Sequence, residues 1–352
     1  MQPDARRKLV SLLGTALGLG MVVLAIWIFE KTLSRYELSE IIRRLRDIPG
    51  NRLALAGLCA GLSYFIQTLY DFLALASLGR GASVPRTTLA AFVGNAMVNN
   101  MGFSLLTATS IRYRFYSAWG YSPLEIAQVV AMTKLAFFTG LLSLAGLTLL
   151  VAPLPLPGRV GEVLDPRLLG ALLLIPPASM LFWNGKNRHG YIRLGKYELV
   201  RPAQRILVLQ ILVSAVHLVF SGLTLYFLIP AQALGGGGFA NPLAFLGAFM
   251  AIKVAVLFFP IPGGLGVLEG TSVALLAPAI PAYTLLGGLL AYRILYYLVP
   301  FGIALAILMV YELGVRSGLA RGIGIRILGS RSRGSSQRRN TQVSSIPPSS
   351  IF

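Results

Sequence analysis

Residues Phe258–Gly270 read FFPIPGGLGVLEG, a run broken by proline and glycine inside an otherwise apolar part of the chain. Glu269, the carboxylate near its end, has apolar sequence on both sides. A bilayer tolerates non-helical backbone only where it is buried in protein or lines a wet cavity. An ionisable group at that depth is a candidate functional group. The stretch therefore predicts an all-α polytopic membrane protein with a broken or re-entrant helix beside a polar site.

The composition supports the same class of protein. Of the 352 residues, 55% are hydrophobic and only 12% are charged, far from the balance of a soluble domain. We interpret residues 1–315 as one integral-membrane domain and residues 316–352, rich in Ser, Arg and Pro, as a basic disordered tail. The single cysteine, Cys59, and two histidines argue against a disulfide framework, a metal site or a cofactor.

The hydropathy pattern predicts six full spans and two re-entrant hairpins. Two apolar runs are interrupted in their middles: Thr88–Ser117 at Gly94–Gly102, and Leu243–Ala279 at the PIPGG element. The six uninterrupted runs are long enough to cross about 30 Å of hydrocarbon; they are Leu9–Ile28, Leu53–Leu78, Ile126–Val151, Leu168–Phe182, Ile206–Ile229 and Leu285–Val310.

The distribution of basic residues predicts the orientation of these spans. The net charge of +19 is explained by topology rather than by nucleic-acid binding, because lysine and arginine mark cytoplasmic loops. The rule places both termini in the cytoplasm and gives two halves of inverted topology, a pattern that in transporters puts the substrate site near the bilayer midplane. The segment Glu30–Gly50 opposes the rule; it is nearly neutral and is predicted to be an amphipathic helix on the outer surface.

Candidate binding residues follow from this layout. Cations outnumber acids among the buried positions, which suits an anionic group such as a lipid phosphate. The alternative is that the charges only neutralise one another to fix helix packing, Asp71 with Arg112, and Glu269 with Lys253 or Arg293. The candidate ligand residues are Asp71, Asn99, Asn100, Arg112, Lys134, Lys253, Glu269 and Arg293, and those of the break are Pro260, Pro262, Gly263, Gly264 and Gly266.

Two groups of polar side chains on apolar spans have more ordinary expected roles. His217 is expected to make a helix–helix hydrogen bond rather than to carry protons, and Tyr292, Tyr296 and Tyr297 are expected to be packing or interfacial aromatics. Replacing Gly263 and Gly264 by alanine is expected to favour helix at the break by roughly 1 kcal/mol per residue.

Three stretches carry a family resemblance: PIPGGLGVLEG, YDFLALASLG (Tyr70–Gly79) and NNMGFSLLTATSIRYRFYSAWG (Asn99–Gly120). Together they resemble the lysylphosphatidylglycerol synthase transmembrane-region family, which includes the membrane half of the bacterial MprF-type proteins. The resemblance implies a multi-pass helical domain that moves aminoacylated phospholipids between leaflets. It assigns the tyrosine–aspartate pair to Tyr70 and Asp71, the arginine to Arg112 and the signature carboxylate to Glu269.

The sequence predicts a non-enzymatic lipid translocator of the bacterial cytoplasmic membrane that works without ATP. No P-loop or hydrolase motif is present, and the chain ends in a short tail where bifunctional relatives carry an aminoacyl-transferase domain. Expected partners are membrane phospholipids, a separate lipid-modifying enzyme and a second copy of the chain, but no nucleic acid. A secondary transporter of a soluble anion and a non-transporting partner subunit are the alternatives.

Overall fold

The fold was analysed in a computed structural model, which describes residues 38–101, 104–153, 165–186, 191–194, 197–236, 239, 241–258 and 262–316. The chain divides into two compact units, residues 1–304 and 305–352. The first predicted span, Pro260 and the tail beyond Arg316 lie outside the described residues.

The described part is helical except for one hairpin. Its helices are α1 (Leu38–Arg46), α2 (Gly50–Ser77), α3 (Val84–Met101), α4 (Ser104–Ala118), α5 (Pro123–Val151), α6 (Pro166–Lys186), α7 (Gln204–Leu228), α8 (Ala231–Gly236), α9 (Pro242–Phe258), α10 (Val267–Leu276), α11 (Ala282–Tyr292) and α12 (Val299–Arg316). A 3₁₀ turn, Pro262–Gly264, precedes α10, and a π-helical segment, Arg293–Leu298, joins α11 to α12. Strands β1 (Tyr191–Leu194) and β2 (Tyr197–Val200) form an antiparallel pair in which Tyr191 faces Val200.

Five helical stretches in the described part are long and apolar enough to cross a membrane. They are α2, α5, α6, α7 and the continuous helix from Ala282 to Tyr311. Each coincides with a predicted span, so the polytopic helical class is confirmed. The β1–β2 hairpin is the one departure from an all-helical chain among these residues, and it lies in the basic loop between two spans.

The two interrupted runs each form a pair of short helices. Helix α3 packs against α4, and α9 packs against α10. At 17 and 10 residues, α9 and α10 are each too short to span about 30 Å at 1.5 Å per residue. Two pairs of short helices are therefore present where the sequence predicts the hairpins, and their re-entrant course in the membrane stays a prediction. The opposite orientation of the two halves stays a prediction.

The predicted break in the first hairpin begins too early. The sequence places it at residues 94–102, but α3 is helical through Met101. Asn100 explains the difference, because its side-chain amide donates to Ala96 O at 2.8 Å and to Tyr297 O at 3.1 Å. The bond to Tyr297 O gives the side chain a partner outside α3, so its polar group is satisfied within the helix.

Helices α2 and α7 form the centre of the first unit, and small residues bring their neighbours close. A Cβ on Gly140 of α5 would lie 2.1 Å from the Cβ of Ser214 on α7, and one on Gly146 would lie 2.8 Å from Gly170 O on α6. Close approach through glycine and serine is the usual packing of helices in bilayers. It gives α7 a fixed position from which His217 reaches α2.

Helix α1 lies within the segment predicted to be amphipathic, and its helical character is confirmed over Leu38–Arg46. It packs on α11 through a glycine: a Cβ on Gly287 would meet Arg44 Cβ at 2.9 Å and Ile41 O at 3.3 Å. On the other side, Glu40 pairs with Arg43 and Arg44. The hydrogen bond from Arg43 lowers the pKa of Glu40. The helix thus buries one face and keeps its charges on another.

Candidate functional site

The break before α10 is built from glycines with left-handed backbone. Gly263, Gly264 and Gly266 have φ values of 60°, 61° and 76°, which cost other residues about 1–2 kcal/mol. The turn lies against the end of α3: a Cβ on Gly263 would be 3.8 Å from Asn100 O and 4.0 Å from Asn99 O. The two interrupted segments therefore meet here, and the candidate residues Asn99 and Asn100 lie beside the break.

A buried ion pair holds the break in place. Arg293, at the start of the π-helical segment, donates through both Nε and NH2 to Glu269, the latter to Oε2 at 2.9 Å. The same guanidinium donates to Gly263 O at 3.0 Å and Gly264 O at 3.3 Å. Glu269 Oε2 also accepts from the backbone N–H of Gly266 at 2.9 Å. Glu269 thus caps α10 and fixes the position of Arg293, which donates hydrogen bonds to the carbonyl groups of the turn.

A second buried pair joins α2 to α4. Arg112 Nε and NH2 donate to Asp71 Oδ1 and Oδ2 at 2.8 and 2.9 Å, and NH2 also reaches Asn95 Oδ1 at 3.1 Å. Arg112 is 1% exposed and Asp71 is fully buried. Gly94 makes room for the guanidinium, since a Cβ there would lie 3.1 Å from NH1. The pairing of both acids with arginine is what the packing alternative predicts.

Lys253 has a different environment from the two arginines. Its ammonium lies 5.2 Å from the ring centroid of Phe249 and 5.6–5.8 Å from the centroids of Tyr292, Tyr296 and Tyr297. Among the described residues it has no carboxylate partner, because Glu269 is taken by Arg293. Faces of aromatic rings stabilise such a cation. The three tyrosines are buried here, so they pack around a charge and are not interfacial.

Lys134 on α5 lies near the Asp71–Arg112 pair. It is half-buried and lies within electrostatic range of Arg112 and Asp71, with no ion pair to the acids in the described part of the chain. The structure thus groups the candidates into two clusters: Asp71, Arg112 and Lys134 in one, and Lys253, Glu269, Arg293, Asn99 and Asn100 in the other.

A hydrogen-bonded network, which the sequence interpretation largely missed, lies between the clusters. His217 Nε2 lies 3.0 Å from Gln67 Nε2 and 3.2 Å from Tyr296 Oη, and its Nδ1 lies 3.0 Å from Tyr70 Oη. Tyr64 Oη donates to Tyr296 O. A signal was available, because 64, 67 and 70 follow the spacing of one helix face. His217 makes the helix–helix contacts that the sequence predicts.

Comparison with known sequences places the chain in a family. The sequence model of the lysylphosphatidylglycerol synthase transmembrane region matches residues 11–304, a range that includes both ion pairs, Lys253 and the broken helix. The chain belongs to this family. The match covers far more than the three stretches on which the resemblance rests, and it confirms that resemblance.

Relatives of two kinds share the family. The chain is 32% identical to the uncharacterized protein slr0712 of Synechocystis, over 88% of this chain and 94% of that protein. It is 28% identical to the inner membrane protein YbhN of Escherichia coli, over 83% and 89%. Identity to the phosphatidylglycerol lysyltransferase of Staphylococcus xylosus is 24%, over 89% of this chain but 35% of that protein. The family and the membrane-spanning helices identify an integral membrane protein with a lipid-related role.

Proposed function

We propose that this protein moves a phospholipid, plain or aminoacylated, between the leaflets of the bacterial cytoplasmic membrane, without ATP hydrolysis and without catalysing a covalent step. The observation that carries the proposal is the environment of Lys253 near the broken helix. Its ammonium lies over aromatic rings, while the neighbouring Glu269 and Arg293 are already paired with each other. A lipid phosphate is an anion that a lysine can meet as a point charge.

The charge balance of the two clusters supports an anionic cargo. Arg112 and Arg293 each donate two hydrogen bonds to a carboxylate, so the charges of Asp71 and Glu269 are neutralised. Lys253 and Lys134 then leave the described clusters with an excess of two positive charges. Charges inside a bilayer are costly unless they pair or serve a substrate. An anionic headgroup passing between the clusters would supply the missing partner.

The position of the glycine break before α10 supports a lipid path beside it. Non-helical backbone at membrane depth needs burial in protein or a polar cavity, and here the glycine carbonyl groups are held by Arg293. In the proposed pathway, movement of lipid beside this turn requires the two hairpins to separate.

The relatives support the class of cargo. The staphylococcal lysyltransferase is named for phosphatidylglycerol, and the matched family is the membrane region of such proteins. We place both termini in the cytoplasm by the positive-inside rule, with phospholipids as the partners of the membrane domain. A lipid-modifying enzyme and a second copy of the chain are further proposed partners.

The test is a lipid-scrambling assay with purified protein in liposomes that contain fluorescent phosphatidylglycerol. Wild-type protein is expected to expose inner-leaflet lipid to an added quencher. Lys253→Met, which keeps an unbranched side chain of similar length but removes the charge, is expected to slow exposure by about tenfold or more, the factor given by 1.4 kcal/mol. Arg46→Gln, an exposed arginine on α1, is the control for general loss of positive charge.

Other outcomes separate the alternatives. Protein-dependent uptake of a soluble anion without lipid exposure would identify a secondary transporter. A full chain that shows neither lipid exposure nor anion uptake would favour a non-transporting subunit. Deletion of residues 317–352 would then be expected to abolish its association with a partner enzyme.

A further inference from the structure

A polar cavity of about 240 Å³ lies between two loops of the first unit. One loop joins α2 to α3 and the other joins α4 to α5, and the topology places both on the cytoplasmic side. The volume is below the range of about 300–1,000 Å³ for drug-sized ligands, so the cavity suits a small group. Its polar lining includes Arg80, Ser83, Arg86, Thr87, Tyr116 and Tyr121.

The floor of the cavity has an unsatisfied hydroxyl group. Tyr116 is 1% exposed, and its Oη has no hydrogen-bond partner among the described residues. Buried polar atoms are nearly always bonded, and each exception calls for an explanation. Tyr116 lines the cavity, and its Oη is itself fully buried, so a ligand oxygen becomes the missing partner when the side chain shifts toward the cavity.

Two guanidinium groups are held at the cavity by aromatic rings. Arg80 lies 5.5 Å from the Tyr121 ring centroid, and Arg86 lies 5.9 Å from that of Trp119. Arg80 Nε donates to Glu125 Oε1 at 2.6 Å, and this hydrogen bond raises the pKa of Arg80. The side chains that line the cavity include both arginines, so the site offers an oxyanion two guanidinium groups, one of which is also paired with Glu125.

We infer that this cavity binds a phosphate-type oxyanion, with Arg80 and Arg86 as the cationic ligands and the Tyr116 hydroxyl as a donor. The oxyanion is the phosphate of a lipid headgroup or a free phosphate. Tyr116 lies one turn after Arg112 on α4, within electrostatic range of both Arg112 and its partner Asp71. If the source is a lipid, a reading that rests on the proposed function, the cavity is the cytoplasmic docking site that precedes the buried pair.

The experiment is calorimetric titration of the full-length protein in phosphatidylcholine nanodiscs with inorganic phosphate. Tyr116→Phe removes only the hydroxyl and is expected to weaken binding about fivefold, the value of one hydrogen bond. Arg86→Gln is expected to weaken it about tenfold or more, as a charge-assisted contact. Tyr113→Phe on the same helix, at 49% exposure, and the exposed Arg205→Gln are the matched controls and are expected to bind as wild type.

A competition arm identifies the source of the phosphate. Displacement of inorganic phosphate by short-chain phosphatidylglycerol supports the site with a lipid headgroup as ligand. Binding of inorganic phosphate without such displacement supports the site with a soluble ligand. Absence of binding in the wild type, or equal binding in Tyr116→Phe, Arg86→Gln and the controls, overturns the inference. Phosphate binding in a protein that does not scramble lipid would refute the proposed function while leaving this site intact.

Discussion

Each acid in the candidate site is held by an arginine with two hydrogen bonds. Asp71 with Arg112 and Glu269 with Arg293 are the pairs, and each also has contacts that a simple packing lock does not need. Arg112 reaches Asn95, and Arg293 reaches the carbonyl groups of the glycine break. Bidentate pairs of this kind give fixed geometry as well as energy. The packing and functional interpretations therefore converge on the same residues.

The Asp71–Arg112 pair yields a prediction about stability. Asp71→Asn leaves the Arg112 charge buried without its carboxylate, at a cost of about 3–5 kcal/mol. The double variant Asp71→Asn with Arg112→Gln is expected to recover part of this loss, because no unpaired charge remains. The melting temperature in detergent measures both effects.

The exposed pair on α1 provides the control for this prediction. Glu40→Gln breaks the hydrogen bonds from Arg43 and Arg44 but leaves those groups in solvent, so little change in melting temperature is expected. Equal losses in the single and double variants at 71 and 112 would show that the two side chains do not stabilise each other.

At the scale of elements, the break before α10 is a left-handed turn, and this corrects the expected effect of alanine. The sequence interpretation expects alanine at 263 and 264 to favour helix. That expectation is wrong, because both residues have positive φ, where a side chain is strained. A Cβ on Gly264 would also lie 2.9 Å from Val256 Cγ1.

The predicted consequence is a loss of stability rather than a straightened helix. Gly264→Ala is expected to destabilise the protein by at least about 1–2 kcal/mol, seen as a lower melting temperature. Gly270→Ala is the matched control, since it lies inside α10 with open space around it, and alanine there is expected to stabilise by up to about 1 kcal/mol. A Gly264→Ala protein as stable as wild type would contradict the turn.

At the scale of the whole molecule, the orientation of the spans can be measured by cysteine labelling in a Cys59→Ala background. The exposed Gln232, after α7, is expected to label from outside as cysteine. Arg205, in the first turn of α7, is expected to label as cysteine only after permeabilisation. The two ends of one 25-residue helix thus control for each other, because the helix is long enough to separate them by a bilayer.

The same experiment tests the first hairpin. Tyr113 on α4 is 49% exposed, and the positive-inside rule predicts that it lies on the cytoplasmic side. Labelling of Tyr113→Cys from outside in intact cells would mean that α3 and α4 cross the membrane, and the inverted arrangement of the two halves would then be lost.

The sequence by itself determined the class of the fold and its family. Apolar runs of span length depend on composition alone, and the five that the structure describes became helices at the predicted positions. The break before Glu269 was also visible, since proline and glycine act locally on the backbone. The ionisable candidates were found for a related reason, because a charge inside an apolar run is conspicuous in one dimension.

Only the tertiary structure decided which groups meet. The partner of Glu269 is 24 residues away and that of Asp71 is 41 residues away, and no local pattern distinguishes Arg293 from Lys253 as the partner of Glu269. The ring cluster at Lys253 and the network at His217 arise from packing between helices distant in sequence. The sign of φ at Gly263 was likewise undetermined, because glycine permits both signs. In the structure, the turn with positive φ is held by the hydrogen bond from Arg293 to Gly263 O.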